Sequence, residues 1–364
     1  MRVTFIANGA EGERSFGGND TYTIGFAKRW GSTVITNEKA AEIYRNCKLE
    51  IWPAKVAEPF GTYVHFLYRT LYSAYKAITM RINSDAYVVG SDHLPDILPA
   101  FIIKLRNPKI CFVGQYYLPA HNPICDYKGE LQVPRISSIL HYLQQQIGLM
   151  LLKQADIVTI MDENDTDKFK STIKLTGDIE FEEIFEHKHS IKLYDFVYMG
   201  RLHPQKNIDS LIKEIMPRLN GRSLLVIGEG SEREKCERLA RGKPIKFVGT
   251  KMDNEKCILL SSARVFLCPT LYDTNNLAAI EGMACGLPVV IFRCPQFKKH
   301  FNRGAIKVRF GDNIAFADVA DKVISNLTLY SELSNEAIEE ARRHDISKTA
   351  SMVYAKIKQK VNEL

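Results

Sequence analysis

Short apolar runs rich in β-branched residues alternate with longer segments of helical period along the whole chain. Val3–Ala7, Thr33–Thr36, Ala86–Val89, Ile110–Val113 and Ile157–Ile160 are the runs of the first half, and their unbroken hydrophobicity predicts buried parallel strands. The second half repeats the scheme with Phe196–Met199, Leu224–Ile227, Lys246–Val248, Val265–Cys268 and Pro288–Phe292, separated by helical patterns such as Asn207–Leu219 and Ser231–Arg241. Strand and helix alternating twice over predicts two α/β domains, each a doubly wound, Rossmann-like parallel sheet. Thr176–Lys192 is polar, charge-rich and without a core pattern, so the boundary is expected near Ser190, giving domains 1–189 and 190–345. The last segment, 346–364, carries Met352, Ile357 and Val361 at helical spacing, and its helix is a candidate to cross back to the N-terminal domain.

A chain of 364 residues is long enough for two cores, and 45% hydrophobic with 25% charged residues is an ordinary globular balance. The opening MRVTFIANGA has neither a charged leader nor a cleavage site, which leads to the expectation of a cytoplasmic protein. The greasiest stretch, 147–161, is interrupted by Lys153, Gln154 and Asp156 and falls short of the roughly 20 apolar residues a spanning helix needs. Eight scattered cysteines form no close C-x-x-C pair, so they read as reduced packing residues with neither a zinc site nor a disulfide framework. The net charge of +7 suits anionic partners but does not choose among them, and no nucleic-acid partner is expected.

The strongest chemical signal is TLYDTNNLAAIEGMACGLPVV, which follows the strand Val265–Cys268. A polar loop, Thr274–Asn276, leads into a short helix from Leu277 that Gly286 can end before Pro288. Such a helix aims unpaired N–H groups and its positive dipole end at the carboxyl edge of the sheet, where a diphosphate can sit. Ala278, Ala279, Gly282, Ala284 and Cys285 let it lie close to its neighbours, and Glu281 can accept hydrogen bonds from ribose hydroxyls. Asp273 would repel a phosphate at close range, so its partner is a sugar hydroxyl or a backbone N–H. The plain alternative is that Asp273 caps a turn and Glu281 is solvated.

The second signal is MGRLHPQKNIDSLI, in which a strand runs into Gly200, Arg201 and Lys206 before a helix. Two cations at a strand's carboxyl end can neutralise a departing diphosphate, at roughly 1.5–3 kcal/mol for each charge-assisted hydrogen bond. Two solvated surface bases are the plain alternative.

With G-R-x-x-x-x-K at 200–206, VIGEGSE at 226–232, KFVG at 246–249 and PTLYD…E-G-M-A-C-G-L-P at 269–288, the chain resembles the family-4 glycosyltransferases from Tyr198 to Val290. The resemblance implies a GT-B fold, two domains facing a central cleft, and a retaining, metal-independent transfer of a hexose from a UDP- or GDP-linked sugar. It implies no further cofactor, and a glycan or lipid-linked acceptor. In that family the Arg and Lys bind the donor diphosphate, here Arg201 and Lys206. The later acidic residue holds the ribose, here Glu281, and the earlier one contacts the sugar, here Asp273. The implied donor site also takes in Gly200, Gly249, Thr274, Asn275, Asn276 and Leu277. Two departures stand out: Asp273 replaces the usual Glu, and Thr274–Asn276 replaces Gly-Phe-Gly.

In the N-terminal half, Gly17 and Gly18 between the first strand and the helix Thr21–Trp30 are similar to the family's glycine loop, although a plain turn explains them as well. Where the family often has a His after the fourth strand, this chain reads Gly114-Gln115-Tyr116-Tyr117, leaving His121 as a substitute and His93 as a second cleft candidate. Arg201, Lys206, Asp273 and His121 are the candidate catalytic residues. Phe60–Ile78 is an aromatic, basic amphipathic stretch that suits a core helix, a lipid-linked acceptor or a peripheral contact with an anionic membrane face, with Arg69 and Lys76 as the cations. The rival functions are a nucleotide-sugar epimerase or hydrolase on the same scaffold, which turns over donor without acceptor, and a catalytically silent sugar-nucleotide or glycan-binding protein.

Overall fold

The computed structural model describes residues 1–9, 18–54, 59, 61–117, 119–120, 136–175, 177, 179–187, 191–273, 276–294 and 301–364. The chain divides into two compact units, Met1–Thr176 with Ser347–Leu364, and Gly177–Ile346.

The first unit is built on seven parallel strands: β1 (Val3–Ile6), β2 (Thr33–Thr36), β3 (Lys48–Ile51), β4 (Ala86–Val89), β5 (Cys111–Tyr116), β6 (Ile157–Ile160) and β7 (Thr172–Lys174). Their order is β3-β2-β1-β4-β5-β6-β7, all parallel, so the direction of winding reverses between β1 and β4. The helices are α1 (Gly18–Trp30), α2 (Thr62–Thr79), α3 (Leu94–Arg106) and α4 (Ile136–Leu152). Right-handed crossovers place α1 on one face of the sheet and α2, α3 and α4 on the other, with α3 packed between its two neighbours. The core between sheet and helices includes Ile6, Val89, Ile97, Ile103, Phe112 and Leu152.

The second unit has six parallel strands, β8 (Tyr194–Met199), β9 (Leu224–Ile227), β10 (Ile245–Phe247), β11 (Ala263–Cys268), β12 (Val289–Phe292) and β13 (Ala305–Val308), in the order β10-β9-β8-β11-β12-β13. Its helices are α5 (Phe181–Phe185), α6 (208–218, mixing α, π and 3-10 turns), α7 (Arg233–Ala240), α8 (Asp253–Ser261), α9 (Leu277–Ala284), α10 (Asn313–Ser325) and α11 (Leu327–Arg342). The last helix, α12 (Ile346–Glu363), enters the first unit at Ser347, where the Tyr354 ring lies 5.4 Å from that of Trp30.

Three strands went unread in the sequence: β3, β7 and β13. Each sits at a sheet edge, where one flank is open and a continuous apolar run is not required; all four residues of β3 are exposed. The unit boundary also falls earlier than 190. Ile179, Phe181 and Ile184 are buried in the second unit's core, so the polar tract 177–187 already belongs to that unit.

Candidate active site

In an open parallel sheet, ligands bind beyond the carboxyl ends of the strands where the winding reverses. In the second unit that point lies between β8 and β11, and the two loops singled out in the sequence, 200–207 and 269–276, leave from these two strands. The loops are tied together: the Gln205 side chain donates from Nε2 to the Tyr272 carbonyl at 2.6 Å, and the Leu271 amide donates to the Gln205 carbonyl at 3.0 Å. Gln205 was not singled out in the sequence, because its side chain's partner, Tyr272, lies 67 positions away.

The loop after β8 also leans on the one after β9. The Gly200 amide donates to Ile227 at 3.0 Å and the Leu202 amide to Glu229 at 2.9 Å. This approach requires Gly228, with φ +133: a Cβ there would lie 2.1 Å from the Gly200 carbonyl oxygen. The glycines of VIGEGSE therefore shape the floor on which Arg201 and Lys206 stand.

Lys206 Nζ forms an ion pair with Asp273 Oδ2, with side-chain exposures of 15% and 17%. The resemblance implied separate tasks for these residues, on diphosphate and sugar. In the structure Asp273 takes one of the three ammonium donors, and the remaining two have no acceptor among the described residues. Arg201 is exposed, with no ion-pair partner among the described residues, and its carbonyl accepts from the Tyr198 hydroxyl at 3.1 Å.

The helix α9 forms as its sequence indicated. Gly286, φ +76, ends it, and the Leu287 amide returns to the Gly282 carbonyl at 3.0 Å. Gly282 lets it lie flat on β11, since a Cβ would sit 2.7 Å from the Phe266 ring. Asn276, which the resemblance includes in the donor site, has a buried side chain: Oδ1 accepts from the Ala279 amide at 3.2 Å, and Nδ2 donates to Cys268 Sγ at 2.9 Å and Thr270 Oγ1 at 3.3 Å. An N-cap in the left-handed region, φ 46, turns the amide inward. Thr274 and Asn275 lie outside the described residues.

Glu281, one turn into α9, is buried and pairs through Oε1 with Lys256 Nζ at 2.7 Å. Burial works against the Lys256 ammonium, but the Glu281 carboxylate, by charge and hydrogen bond together, holds its pKa above the ordinary lysine value. Lys256 was missed because it belongs to α8, 25 positions from its partner. Gly249, φ +74, accepts through its carbonyl from the Gly228 amide at 2.8 Å, closing the loop after β10 against that after β9.

The first unit has its own point of reversal between β1 and β4. Asp96 is fully buried there and accepts from the Gly9 amide at 2.7 Å and Ser91 Oγ at 2.5 Å; burial pushes its carboxyl up to about 7, against the pull of these two donors and Arg69. Arg69, 1% exposed, donates to the carbonyls of Asn8 and Gly9 at 3.0 and 3.1 Å. It therefore braces the loop after β1 and is not a surface cation, as the sequence had allowed. His93 precedes α3 with its ring 5.8 Å from His141 and 6.3 Å from Phe66. Gln115, near the carboxyl end of β5, is buried, and neither of its amide atoms has a partner among the described residues. Gly18 opens α1, while Gly17 and His121 lie outside the described residues.

A six-stranded parallel sheet whose order reverses between β8 and β11, with helices connecting its strands, is a doubly wound α/β domain. Residues 194–326 match the family model for glycosyl transferases group 1, so the second unit carries a domain of that family. The chain is 30% identical over 156 residues to a sulfoquinovosyl transferase of Arabidopsis thaliana, covering 42% of this chain and 30% of the relative. It is 40% identical over 102 residues to a GDP-mannose-dependent alpha-(1-6)-phosphatidylinositol dimannoside mannosyltransferase of Mycobacterium tuberculosis, covering 27% and 26%. The matches thus span less than a third of the length of these curated relatives. Among solved structures, Anabaena HepE in complex with UDP and glucose aligns over 98% of this chain and 99% of its own at TM-score 0.68 and 12% identity. The sucrose-phosphate synthase of Thermosynechococcus elongatus aligns over 99% of each at TM-score 0.70 and 16% identity. The fold is GT-B.

Proposed function

We propose that this chain is a retaining, metal-independent glycosyltransferase that moves a hexose from a UDP- or GDP-linked donor to a glycan or lipid-linked acceptor. The observation that carries the proposal is the pairing of the two loops at the β8/β11 reversal, inside the matched domain, with Arg201 and Lys206 on one loop and Asp273, paired with Lys206, on the other. When the bond between the sugar and the diphosphate breaks, negative charge gathers on the leaving group, and preorganised cations and helix N–H groups stabilise it there. Asp273 orients Lys206 and offers its carboxylate to a sugar hydroxyl. Glu281, with Lys256 behind it, is suited to the ribose. Retention follows from the resemblance over 198–290. The UDP in one structural neighbour and the GDP-mannose in the name of one relative support both nucleotides as candidates.

A thermal-shift panel of UDP- and GDP-linked hexoses and their nucleoside diphosphates tests the donor site. The true donor at about 100 times its Kd is expected to stabilise the chain by about 2.7 kcal/mol. A panel in which no nucleotide raises Tm would remove the assignment. Transfer is further expected to persist in EDTA, because the cations at this site are side chains; complete loss of activity, restored by magnesium or manganese, would contradict it.

A further inference from the structure

The outer surface of the first unit carries apolar residues that no described part of the chain covers. Along α2, Tyr63, Leu67, Leu71, Tyr75 and Ile78 form one exposed row, with Leu67 57% and Leu71 60% accessible. Along α4, on the far side of α3 in the same helical layer, Leu143, Ile147 and Met150 form a second row, with Met150 67% accessible. The opposite face of each helix is buried in the unit, so these rows are not a misassigned core: in α2 the inward positions are His65, Arg69, Thr70, Ser73 and Ala77. A soluble surface rarely exposes large apolar residues in such continuous rows.

Charge decides what such a surface fits. Neither Thr62–Thr79 nor Ile136–Leu152 contains an Asp or Glu, and the only acid of α3, Asp96, is buried. Helices that cross over a parallel sheet run antiparallel to its strands, so α2, α3 and α4 all end at the strands' amino-terminal edge. There the exposed cations Arg81, Arg106, Lys109 and Lys153 collect. Among the acids of this edge, Asp156 is paired with Lys104 at 2.8 Å, and Asp85 accepts from the Arg2 amide at 2.6 Å. Two copies meeting through this face in a symmetric dimer would bring like charges together. An anionic lipid surface meets both needs, apolar depth for the two rows and phosphates for the cations, and the exposed tyrosines suit its interfacial layer. No described helix is long and apolar enough to cross a membrane.

We propose that the α2 and α4 faces of the first unit dock the protein on an anionic lipid surface, with Leu67, Leu71, Leu143 and Ile147 entering the interface and Arg81, Arg106, Lys109 and Lys153 meeting the headgroups. The assignment is independent of the donor site. Flotation of the full chain with vesicles of phosphatidylcholine, alone or mixed with phosphatidylglycerol, tests it. The expected result is binding to the mixed vesicles only, weakened by salt. Leu67→Glu with Leu71→Glu, and separately Leu143→Glu with Ile147→Glu, are expected to cut the bound fraction about tenfold or more, and Lys109→Glu with Lys153→Glu to weaken it as well. All these positions are exposed, so circular dichroism and Tm should stay at wild-type values, and the donor-induced thermal shift should be unchanged. No binding to the mixed vesicles, equal binding to both kinds, or apolar variants that float like wild type would each overturn the proposal. So would sedimentation velocity in which wild type dimerises, the apolar variants are monomeric and neither binds vesicles.

Discussion

Lys206→Ala is expected to lower turnover by about 10²–10³, the usual cost of one preorganised electrostatic partner of a leaving group. Its charge matters more as the bond to the sugar breaks than in the ground state, so turnover should fall further than donor affinity. The structure adds a second consequence. Lys206 is only 15% exposed and pairs with Asp273, so its removal takes a cation from a half-buried carboxylate. A modest loss of stability, about 1 kcal/mol, is expected alongside the kinetic loss. Glu281→Gln serves as the contrast. A ribose contact lies away from the breaking bond and contributes nearly uniform binding, so KM should rise while kcat stays close to wild type. It also strips Lys256 of its charge partner, so Tm should drop. Steady-state kinetics, donor affinity and melting curves on both variants distinguish these outcomes. A Lys206→Ala protein with near-normal turnover would mean that the diphosphate sits elsewhere.

Gly228→Ala is expected to be the more damaging change for the fold of the site. A Cβ at this position would lie 2.1 Å from the Gly200 carbonyl oxygen, with the residue held at φ +133. Backbone strain of about 1–3 kcal/mol and overpacking of similar size combine here. Together, about 2–6 kcal/mol at about 2–4 °C per kcal/mol for a unit of this size, they should lower Tm by about 4–24 °C. Because the clash is with the backbone that leads into Arg201, donor binding should weaken at temperatures where the protein is still folded. Gly221→Ala is the internal control. That glycine also has a positive φ, +75, but nothing lies within 4 Å of its would-be Cβ, so only the conformational cost of about 1 kcal/mol should appear. Equal melting temperatures for the two variants would show that the approach of the β8 and β9 loops does not depend on the missing side chain.

Much of this arrangement is legible in the sequence. Central strands are buried on both faces over most of their length, so β4 and the inner parts of β8 and β11, Phe196–Met199 and Val265–Cys268, print apolar runs in the sequence. Edge strands need no such run, which is why β3, β7 and β13 were silent. Gly286 and Pro288 marked the end of α9 because a helix terminus restricts local backbone geometry, and local restriction is what a sequence records most directly. Arg201, Lys206, Asp273 and Glu281 were visible as chemistry for the same reason, each sitting in a short strand-loop-helix segment.

The pairings were not legible. Lys206 with Asp273, Lys256 with Glu281 and Gln205 with Tyr272 join residues far apart in the chain, and whether a charged side chain meets a ligand or a neighbour depends on which loops the sheet order brings together. Asn276 and Arg69 make the same point from the other side. Both were read by residue type as groups available to a ligand or a lipid, and both turn inward because the local backbone offers donors and carbonyls that burial would otherwise leave unpaired. The sequence determined the α/β alternation, the two units and the segments that carry the chemistry, since these follow from local period and local backbone preference. Only the tertiary structure decided which cation answers which carboxylate and which face of α2 is left bare, because those outcomes depend on contacts between segments that no local pattern encodes.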